Sequence, residues 1–283
     1  MKHSEQQLAL RANDLRQAVI SMLATAGSGH TAGPLGLAEL FAVLYFDTLR
    51  LKPKNPTWEG RDRLILSAGH LVPLQYVAMA QAGFFPEAEL KTLRRLNSRL
   101  QGHPSRIDLP GIEASAGPLG QGLSVAVGMA LAAQMDRSDW RVYCVSSDGE
   151  FDEGQAWEAL MTAAKYHLGN LTVFLDRNQI QIDGTTEQIM PLEPLTEKLQ
   201  SFRWHVMNIN GHSVSAILNA IQVAQHIKHR PTVIVLHTTP GKGVDFMEKK
   251  YEWHGQPPTP AEAKIALAEL RSLRGRIERA DHD

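Results

Sequence analysis

Short runs of β-branched and aliphatic residues alternate with helix-forming segments along this chain, and the alternation limits the fold more than any other feature. The runs read as strands at positions 63–67, 142–145, 171–175, 205–209 and 232–237. Segments with helical periodicity lie at positions 39–49, 72–82, 119–134, 154–167 and 214–228. Strands and helices that alternate in this way pack as a mostly parallel sheet with helices on both faces. We therefore predict the α/β class.

The 283 residues read as a single domain, 1–283, because the sequence shows no internal repeat, low-complexity tract or flexible linker. A proline-rich bend at 256–260 leads into what we expect to be a short terminal helix, with residues 276–283 frayed. In a parallel sheet, ligands bind outside the carboxyl ends of the strands. The chemistry is therefore expected at that edge.

Charge and cysteine content narrow the classes of function. Lys and Arg total 29 against 30 Asp and Glu, a balance that argues against a nucleic-acid partner. The single cysteine, Cys144, lies in a predicted strand, excludes an internal disulfide and is expected to be buried and unreactive. The longest stretch of apolar residues and glycine, 125–133, is shorter than the ~20 residues that span a bilayer. With no signal-peptide core at the N-terminus, we expect a cytoplasmic protein without membrane contact.

The most informative segment surrounds Asp148-Gly149, where a hydrophobic strand ends shortly before a helix. Asp148 is expected at an exposed strand end, near a helix N-terminus that favours anions. Thirty positions later, the next strand runs into Asn178. An acid and an amide at adjacent strand ends can hold one hard cation, and Mg²⁺ prefers such oxygen ligands together with substrate phosphates. Asp-Gly alone is most often a turn and Asn178 alone a cap, but the pair favours a metal site.

This pair resembles the signature of thiamine diphosphate enzymes, a Gly-Asp-Gly followed about thirty residues later by Asn. Ser147 replaces the first glycine, whose main role is a tight turn. Further segments resemble, in the same order, the N-terminal half of transketolase, over nearly all of residues 4–255. They are AGSGH at 26–30, LSAGH at 66–70, QGHP at 101–104, GPLGQG at 117–122, NQIQIDG at 178–184 and WHG at 253–255.

The resemblance to transketolase implies the thiamine diphosphate-binding fold, of the diphosphate-binding type. It also implies thiamine diphosphate and Mg²⁺ as cofactors, with Ca²⁺ or Mn²⁺ able to substitute. The metal ligands that it implies are Asp148, Asn178 and the carbonyl of Ile180. The implied catalytic residues are His30, His70, His103, His254 and Glu153. The implied cofactor-binding residues are His70, Gly117, Pro118, Leu119, Asp148, Gly149, Glu150, Asn178 and His254.

Each of these residues also has a purely structural interpretation. A lone histidine is most often a turn, cap or loop residue, and Glu153 is also explained as a first-turn acid that complements a helix dipole. Four histidines after small residues, all in loops or at strand ends, instead indicate a polar pocket for sugar hydroxyls and diphosphate oxygens. His226 and His229 have the spacing of one helix face, and without further ligands we interpret them as solvated rather than zinc-binding.

Transketolases also carry a pyrimidine-binding and a C-terminal domain, and nothing after Gly255 resembles either. The resemblance therefore implies the N-terminal subunit of a split transketolase, with the missing domains on a partner chain in an α2β2 assembly. Such an enzyme transfers a two-carbon ketol unit from a ketose phosphate to an aldose phosphate, with ordinary pentose phosphates and modified sugars both open. Two alternatives remain: a subunit of another thiamine diphosphate enzyme (deoxyxylulose-phosphate synthase-like or 2-oxo-acid dehydrogenase α-like), or a non-catalytic cofactor-binding homologue.

Overall fold

A five-stranded, all-parallel sheet forms the centre of the molecule, which a computed structural model describes over residues 2–279. The strands are β1 (Arg63–Leu66), β2 (Val142–Ser147), β3 (Leu171–Arg177), β4 (His205–Asn210) and β5 (Thr232–His237). They lie in the order β1-β2-β3-β5-β4. The predicted α/β class is confirmed, and each strand ends within two residues of its predicted bounds.

Helices cover both faces of the sheet. In chain order they are α1 (Glu5–Ala26), α2 (Ala32–Gly36), α3 (Ala38–Val43), α4 (Val72–Gln81), α5 (Gln121–Met135), α6 (Gly154–Lys165), α7 (Thr186–Ile189), α8 (Leu195–Ser201), α9 (Val214–His226) and α10 (Pro260–Arg279). Within residues 2–279, no helix combines the length and the apolar character needed to cross a bilayer.

Two hydrophobic cores form because successive side chains of a strand point to opposite faces of the sheet. Tyr143 and Phe174 pack on one face with residues of α1, α3, α4, α9 and α10. Cys144 and Val173 pack on the other face with residues of α5, α6 and α8. β2 and β3 are buried along their whole length, as central parallel strands are. Cys144 is buried as predicted, and burial raises the pKa of its thiol well above its usual range.

The first helix, α1, was not predicted from the sequence. It begins at a capping box, in which the Ser4 hydroxyl accepts from the Gln7 N–H and the Gln7 side chain accepts from the Ser4 N–H. It ends at Gly27, whose φ of 63° is the left-handed conformation that favours glycine. The Ser-x-x-Gln pattern before a hydrophobic segment is the sequence signal that would have located this helix.

The helix predicted at 39–49 is divided in the structure. It is replaced by α3 and a π-helical turn at Leu44–Thr48, with the short α2 before them. Gly36, the last residue of α2, lies so close to the loop after β5 that an added Cβ would sit 3.2 Å from the Thr239 carbonyl oxygen. This contact holds the end of α2 against the loop after β5, just before α3 begins.

The terminal helix α10 is long rather than short, with 20 residues. It packs against α1, where the Asn13 amide donates to the Leu270 carbonyl at 3.0 Å and Arg274 pairs with Asp14. These contacts keep residues 276–279 helical, so the expectation of fraying there is wrong. Residues 280–283 lie outside the described part of the chain.

Candidate functional site

The carboxyl ends of β1, β2 and β3 meet at one edge of the sheet. The strand register pairs Leu66 with Val145 and Ser147 with Asp176, so the loops that follow these strands open side by side. A cleft of about 320 Å³ lies above them, a volume typical of small-ligand sites. It is lined by His30, His70, His103, Gly117, Leu119, Ser147, Gly149, Asn178, Ile180, Gln181, Ile182, Asp183, Ile189 and His254.

Four imidazoles converge in this cleft. The ring centre of His30 lies 5.3 Å from that of His70, 5.6 Å from that of His254 and 6.3 Å from that of His103. The His70 and His254 ring centres are 4.9 Å apart. The four residues come from loops after α1, after β1, before α5 and after β5. The structure therefore brings together all four histidines that the sequence singled out.

The electrostatics of the cleft keep these rings neutral. Burial, followed by the charges of His254, Arg94 and His103, lowers the pKa of His30 to about 4. Burial also lowers the pKa of His70 well below its usual range, and lowers the pKa values of His103 and His254. A neutral imidazole offers one N–H donor and one acceptor nitrogen. Nδ1 of His30 is buried without a partner among the described residues, so a ligand can satisfy it.

Asp148 is fully buried, and the expectation of an exposed strand-end acid is wrong. Its Oδ2 accepts from the Arg177 guanidinium at 3.0 Å and from the Gln179 N–H at 2.7 Å. Its Oδ1 accepts from the Gly149 N–H at 2.9 Å. Burial raises the pKa of this carboxyl to about 6, against the lowering effect of the Gln179 N–H and Arg177. The acid is thus held in one orientation, buried between Ser147 and Gly149, which line the cleft.

Asn178 borders the cleft at the end of the neighbouring strand. Its Nδ2 donates to Asp176 at 2.6 Å and its Oδ1 accepts from the Ile180 N–H at 3.0 Å. Asp176 in turn accepts from the Thr238 hydroxyl, and burial raises its pKa to about 7. These contacts fix which side of the amide carries the oxygen.

Within residues 2–279, no group of three or more His, Cys, Asp or Glu side chains is placed to hold a metal ion. The available donors at this edge are instead mixed oxygens. Asp148 supplies a carboxylate, Asn178 an amide oxygen and Ile180 a main-chain carbonyl, all in the loops that follow β2 and β3. Such a set suits a hard cation that keeps several other ligands, as Mg²⁺ does.

The glycine-rich loop at 117–122 forms another wall of the cleft. Gly117 and Leu119 line it, and Pro118 is exposed beside them. Glu150, inferred from the resemblance as a cofactor-binding residue, lies beneath this loop rather than in the cleft lining. Its buried carboxylate accepts from the Gly120 N–H at 2.6 Å and from the hydroxyls of Ser146 and Ser67. Glu150 therefore anchors the loop to the ends of β1 and β2.

The remaining residues singled out from the sequence lie outside the cleft lining. Glu153 is exposed at the N-cap of α6. His226 is exposed at the last residue of α9, and His229 is exposed beyond the end of the helix. Gln181 and Ile189 line the cleft without having been singled out, and Gln181 belongs to the NQIQIDG motif that pointed to this loop.

Residues 7–271 match the family model described as the transketolase, thiamine diphosphate binding domain. The chain belongs to this transketolase family. The resemblance drawn from the six sequence motifs is thereby confirmed, and so is the type of cofactor for which the domain is built.

Two relatives of this transketolase domain are themselves separate subunits. The 6-deoxy-6-sulfo-D-fructose transketolase subunit SqwG of Clostridium sp. (strain MSTE9) is 44% identical over 269 residues, which cover 94% of this chain and 98% of that protein. An apulose-4-phosphate transketolase subunit of Phocaeicola vulgatus is 37% identical, with 97% and 98% covered. Human transketolase is 38% identical over 92% of this chain, but the match spans only 41% of the human protein.

Solved transketolases share the fold. The Campylobacter jejuni enzyme superposes with a TM-score of 0.89 at 32% identity, covering 98% of this chain and 46% of that chain. The Leishmania mexicana enzyme superposes with a TM-score of 0.85 at 30% identity, covering 99% and 46%. The thiamine diphosphate-binding fold expected from the resemblance is confirmed.

The residues of the cleft fit the cofactor of this transketolase family. The unpartnered Nδ1 of His30 and the neighbouring neutral imidazoles can bond to polar oxygens. Gly149 keeps the main chain open at the strand end, where an added Cβ would sit 3.3 Å from the Gln181 side chain. The mixed oxygen donors of the loops after β2 and β3 suit the divalent cation that accompanies a diphosphate.

Proposed function

We propose that this chain is the diphosphate-binding subunit of a split transketolase, which transfers a two-carbon ketol unit from a ketose phosphate to an aldose phosphate. The observation that carries the proposal is the convergence of four neutral imidazoles in one cleft with Asn178, next to the buried Asp148. The chain also matches almost the full length of two relatives named as transketolase subunits. We further propose that the protein acts in the cytoplasm.

Thiamine diphosphate, when bound, supplies the stabilisation of the carbanion that this transfer requires. Asp148, Asn178 and the Ile180 carbonyl would hold Mg²⁺, for which Ca²⁺ or Mn²⁺ can substitute. Gly117 and Gly149 leave room for the diphosphate to approach the main chain. The buried Arg177 pair keeps the Asp148 carboxylate oriented before any ligand arrives.

The histidines handle hydroxyl groups and protons. His30, His70 and His103 are neutral above about pH 6.5, so each ring can accept a proton from a sugar hydroxyl at one nitrogen and donate one from the other. His254 packs against both His30 and His70 and completes the group of four histidines that lines the cleft. Since burial disfavours the imidazolium form, a proton accepted by a ring is readily passed on.

The complementary subunit would bring the pyrimidine-binding and C-terminal domains. The outer face of α5 suits its docking, because Val125 is 39% exposed and Met135 is 75% exposed, with Gly128 uncovered between them. α5 begins within the glycine-rich loop, so a partner on this face would border the cleft. Glu153, exposed at the start of the adjacent α6, would lie near the seam between the chains. An obligate interface of about 2,000 Å² or more, repeated by two-fold symmetry, gives an α2β2 assembly.

The test is an assay of two-carbon transfer from a ketose phosphate to an aldose phosphate, with thiamine diphosphate and Mg²⁺ present. This chain, the candidate partner and their mixture are assayed separately. We expect activity from the mixture alone. Full activity from this chain by itself would contradict the split arrangement, and a mixture that binds no thiamine diphosphate would contradict the proposed function.

A matched pair of variants tests the docking face. Gly128→Arg places a long charged side chain on the exposed face of α5 and should abolish association with the partner. Gln222→Arg makes a comparable change on the exposed side of α9 and should leave association intact. Size-exclusion chromatography of each variant with the partner separates the two outcomes, and equal association of both would exclude the α5 face.

A further inference from the structure

Arg177, the last residue of β3, is a buried arginine at the centre of a charge cluster. Its side chain is 3% exposed. Nη1 donates to Asp148 Oδ2 at 3.0 Å and to the Thr186 hydroxyl at 2.7 Å. Nη2 donates to Glu187 at 2.8 Å and to Glu193 at 2.9 Å. A single guanidinium therefore joins four acceptors from two separate parts of the chain.

The two parts have different surroundings. Asp148 is buried at the end of β2, whereas Glu187 and Glu193 are 44% and 58% exposed. The two glutamates belong to residues 185–193, which we name the covering segment because its Ile189 lines the cleft. The covering segment reaches inward to the fixed arginine, so it is the part whose order depends on these contacts.

The hydrogen bonds leave one acceptor position of the buried Asp148 carboxylate unused. Oδ2 already accepts from Arg177 and Gln179, while Oδ1 accepts only from the Gly149 N–H. Each carboxylate oxygen can accept about two such bonds, so Oδ1 retains capacity for a cation. Arg177 thus occupies one oxygen and thereby presents the other.

The net charge of the cluster also favours the binding of a cation at Asp148. One guanidinium faces the three carboxylates of Asp148, Glu187 and Glu193, which leaves an excess of negative charge. Asp148 is the buried member of the three, and a divalent cation bound there would offset part of this excess. The cation therefore favours the same compact arrangement that holds the covering segment.

We propose that Arg177 is a positioning residue that couples metal binding at Asp148 to the ordering of the covering segment beside the cleft. The coupling rests on the proposed function in that Asp148 is taken as a metal ligand. It is reciprocal: a cation at Asp148 adds positive charge that attracts Glu187 and Glu193, and an ordered segment that brings these carboxylates close strengthens cation binding by the same factor.

The test combines hydrogen exchange of the full chain with titration of the assembled complex. Exchange of peptides covering 185–193 is measured in chelator, with Mg²⁺ alone, and with Mg²⁺ plus thiamine diphosphate. We expect Mg²⁺ to slow exchange of this segment in the unmodified chain. In Arg177→Met the segment should exchange faster in chelator and lose the response to Mg²⁺.

The titration measures the Mg²⁺ concentration needed for thiamine diphosphate binding. Loss of groups that orient metal ligands typically weakens metal affinity by about 10–100-fold, and we expect a shift of about tenfold or more for Arg177→Met. Arg99→Met is the control, because Arg99 also holds a carboxylate at two points (Glu89, 2.8 and 2.9 Å) but does not line the cleft. It should shift neither measurement.

Unchanged exchange of the covering segment in Arg177→Met, or faster exchange without a shift in the Mg²⁺ requirement, would overturn the coupling. If Arg177→Met does not fold, the Glu187→Gln/Glu193→Gln variant decides the question, since it releases the segment and keeps the pair with Asp148. That variant should also raise the Mg²⁺ requirement. An unmodified complex that binds no thiamine diphosphate would count against the proposed function, whereas the exchange response to Mg²⁺ alone would still decide the coupling.

Discussion

The rings of His70 and His254 pack with their centres 4.9 Å apart, although His70 follows β1 and His254 lies beyond β5. Each ring excludes water from the other, and this mutual burial contributes to the lowered pKa values of both. The histidine-lined side of the cleft therefore depends on the sheet, which brings together loops from distant parts of the chain. Each of the four loops contributes a single histidine, so one loop alone could not lower the pKa values in this way.

The metal assignment predicts a specific effect of Asp148→Asn. The substitution preserves the shape of the side chain and removes its charge, and the apparent affinity for thiamine diphosphate with Mg²⁺ should fall by at least ~1.4 kcal/mol, a factor of ten. Asn is preferred to Ala because Asp148 is buried against Arg177. Calorimetric titration of the assembled complex measures the effect. The exposed Asp245→Asn serves as the control, and equal affinities in a folded Asp148→Asn protein would reject the assignment.

The histidine cleft predicts that His103→Ala lowers turnover by about tenfold or more, as loss of positioning and proton transfer typically does. His103 lines the cleft and its side chain is accessible, so the fold should persist. His226→Ala is the matched control, because this exposed ring lies at the end of α9. Steady-state assays of the assembled complex compare the two. Indistinguishable turnover would mean that the cleft imidazoles take no part in the reaction.

The pKa of His30 predicts how stability changes with pH. The pKa is about 4 in the folded chain against 6.5 for a free histidine, so the unfolded chain binds the proton more readily. The free energy of unfolding should therefore fall as pH drops from about 6.5 towards 4. His30→Gln removes this contribution and should flatten the profile in that window. Urea denaturation at a series of pH values provides the measurement, and parallel profiles for the two proteins would contradict it.

Two glycines of α5 should respond in opposite directions to alanine. A Cβ at Gly122 would lie 2.5 Å from the Ser67 main chain, so Gly122→Ala should destabilise the fold by about 1–3 kcal/mol. A Cβ at Gly128 meets nothing within 4 Å, so Gly128→Ala should stabilise the isolated chain by about 0.5–1 kcal/mol. Chemical denaturation measures the free energy of unfolding of both variants and of the original protein. A Gly122→Ala protein as stable as the original would show that α5 and the β1 loop are not in close contact.

The strands were predictable because their hydrophobic runs are buried on both sheet faces and need no knowledge of their neighbours. α1 escaped prediction because polar residues interrupt its buried side. Asn13 and Arg16 are buried there only because Leu270 and Glu39 supply their partners, at 3.0 and 2.6 Å. Such partners come from distant parts of the chain, so the only local signal of α1 was the capping box of Ser4 and Gln7.

The candidate site was likewise predictable from the sequence only in part. The motifs indicated the four histidines and the strand-end oxygens, since each follows a recognisable strand or turn. The position of Glu150 did not follow from its place beside Asp148-Gly149, because the tight turn at Asp148–Asp152 directs its carboxylate under the glycine-rich loop. The contacts of Arg177 likewise depend on how residues 185–193 fold back over β3.

The distribution of the cleft residues also has a consequence for how the protein is made. The group of four cleft histidines is complete only when His30 and His254 come together. Contacts between residues so distant in sequence form late in folding, because the entropy of closing the long loop between them is lost first. A nascent chain that has not yet been synthesised as far as His254 lacks one of these four histidines. We therefore expect a chain truncated before His254 to bind the cofactor less tightly than the full chain, even where its remaining strands fold.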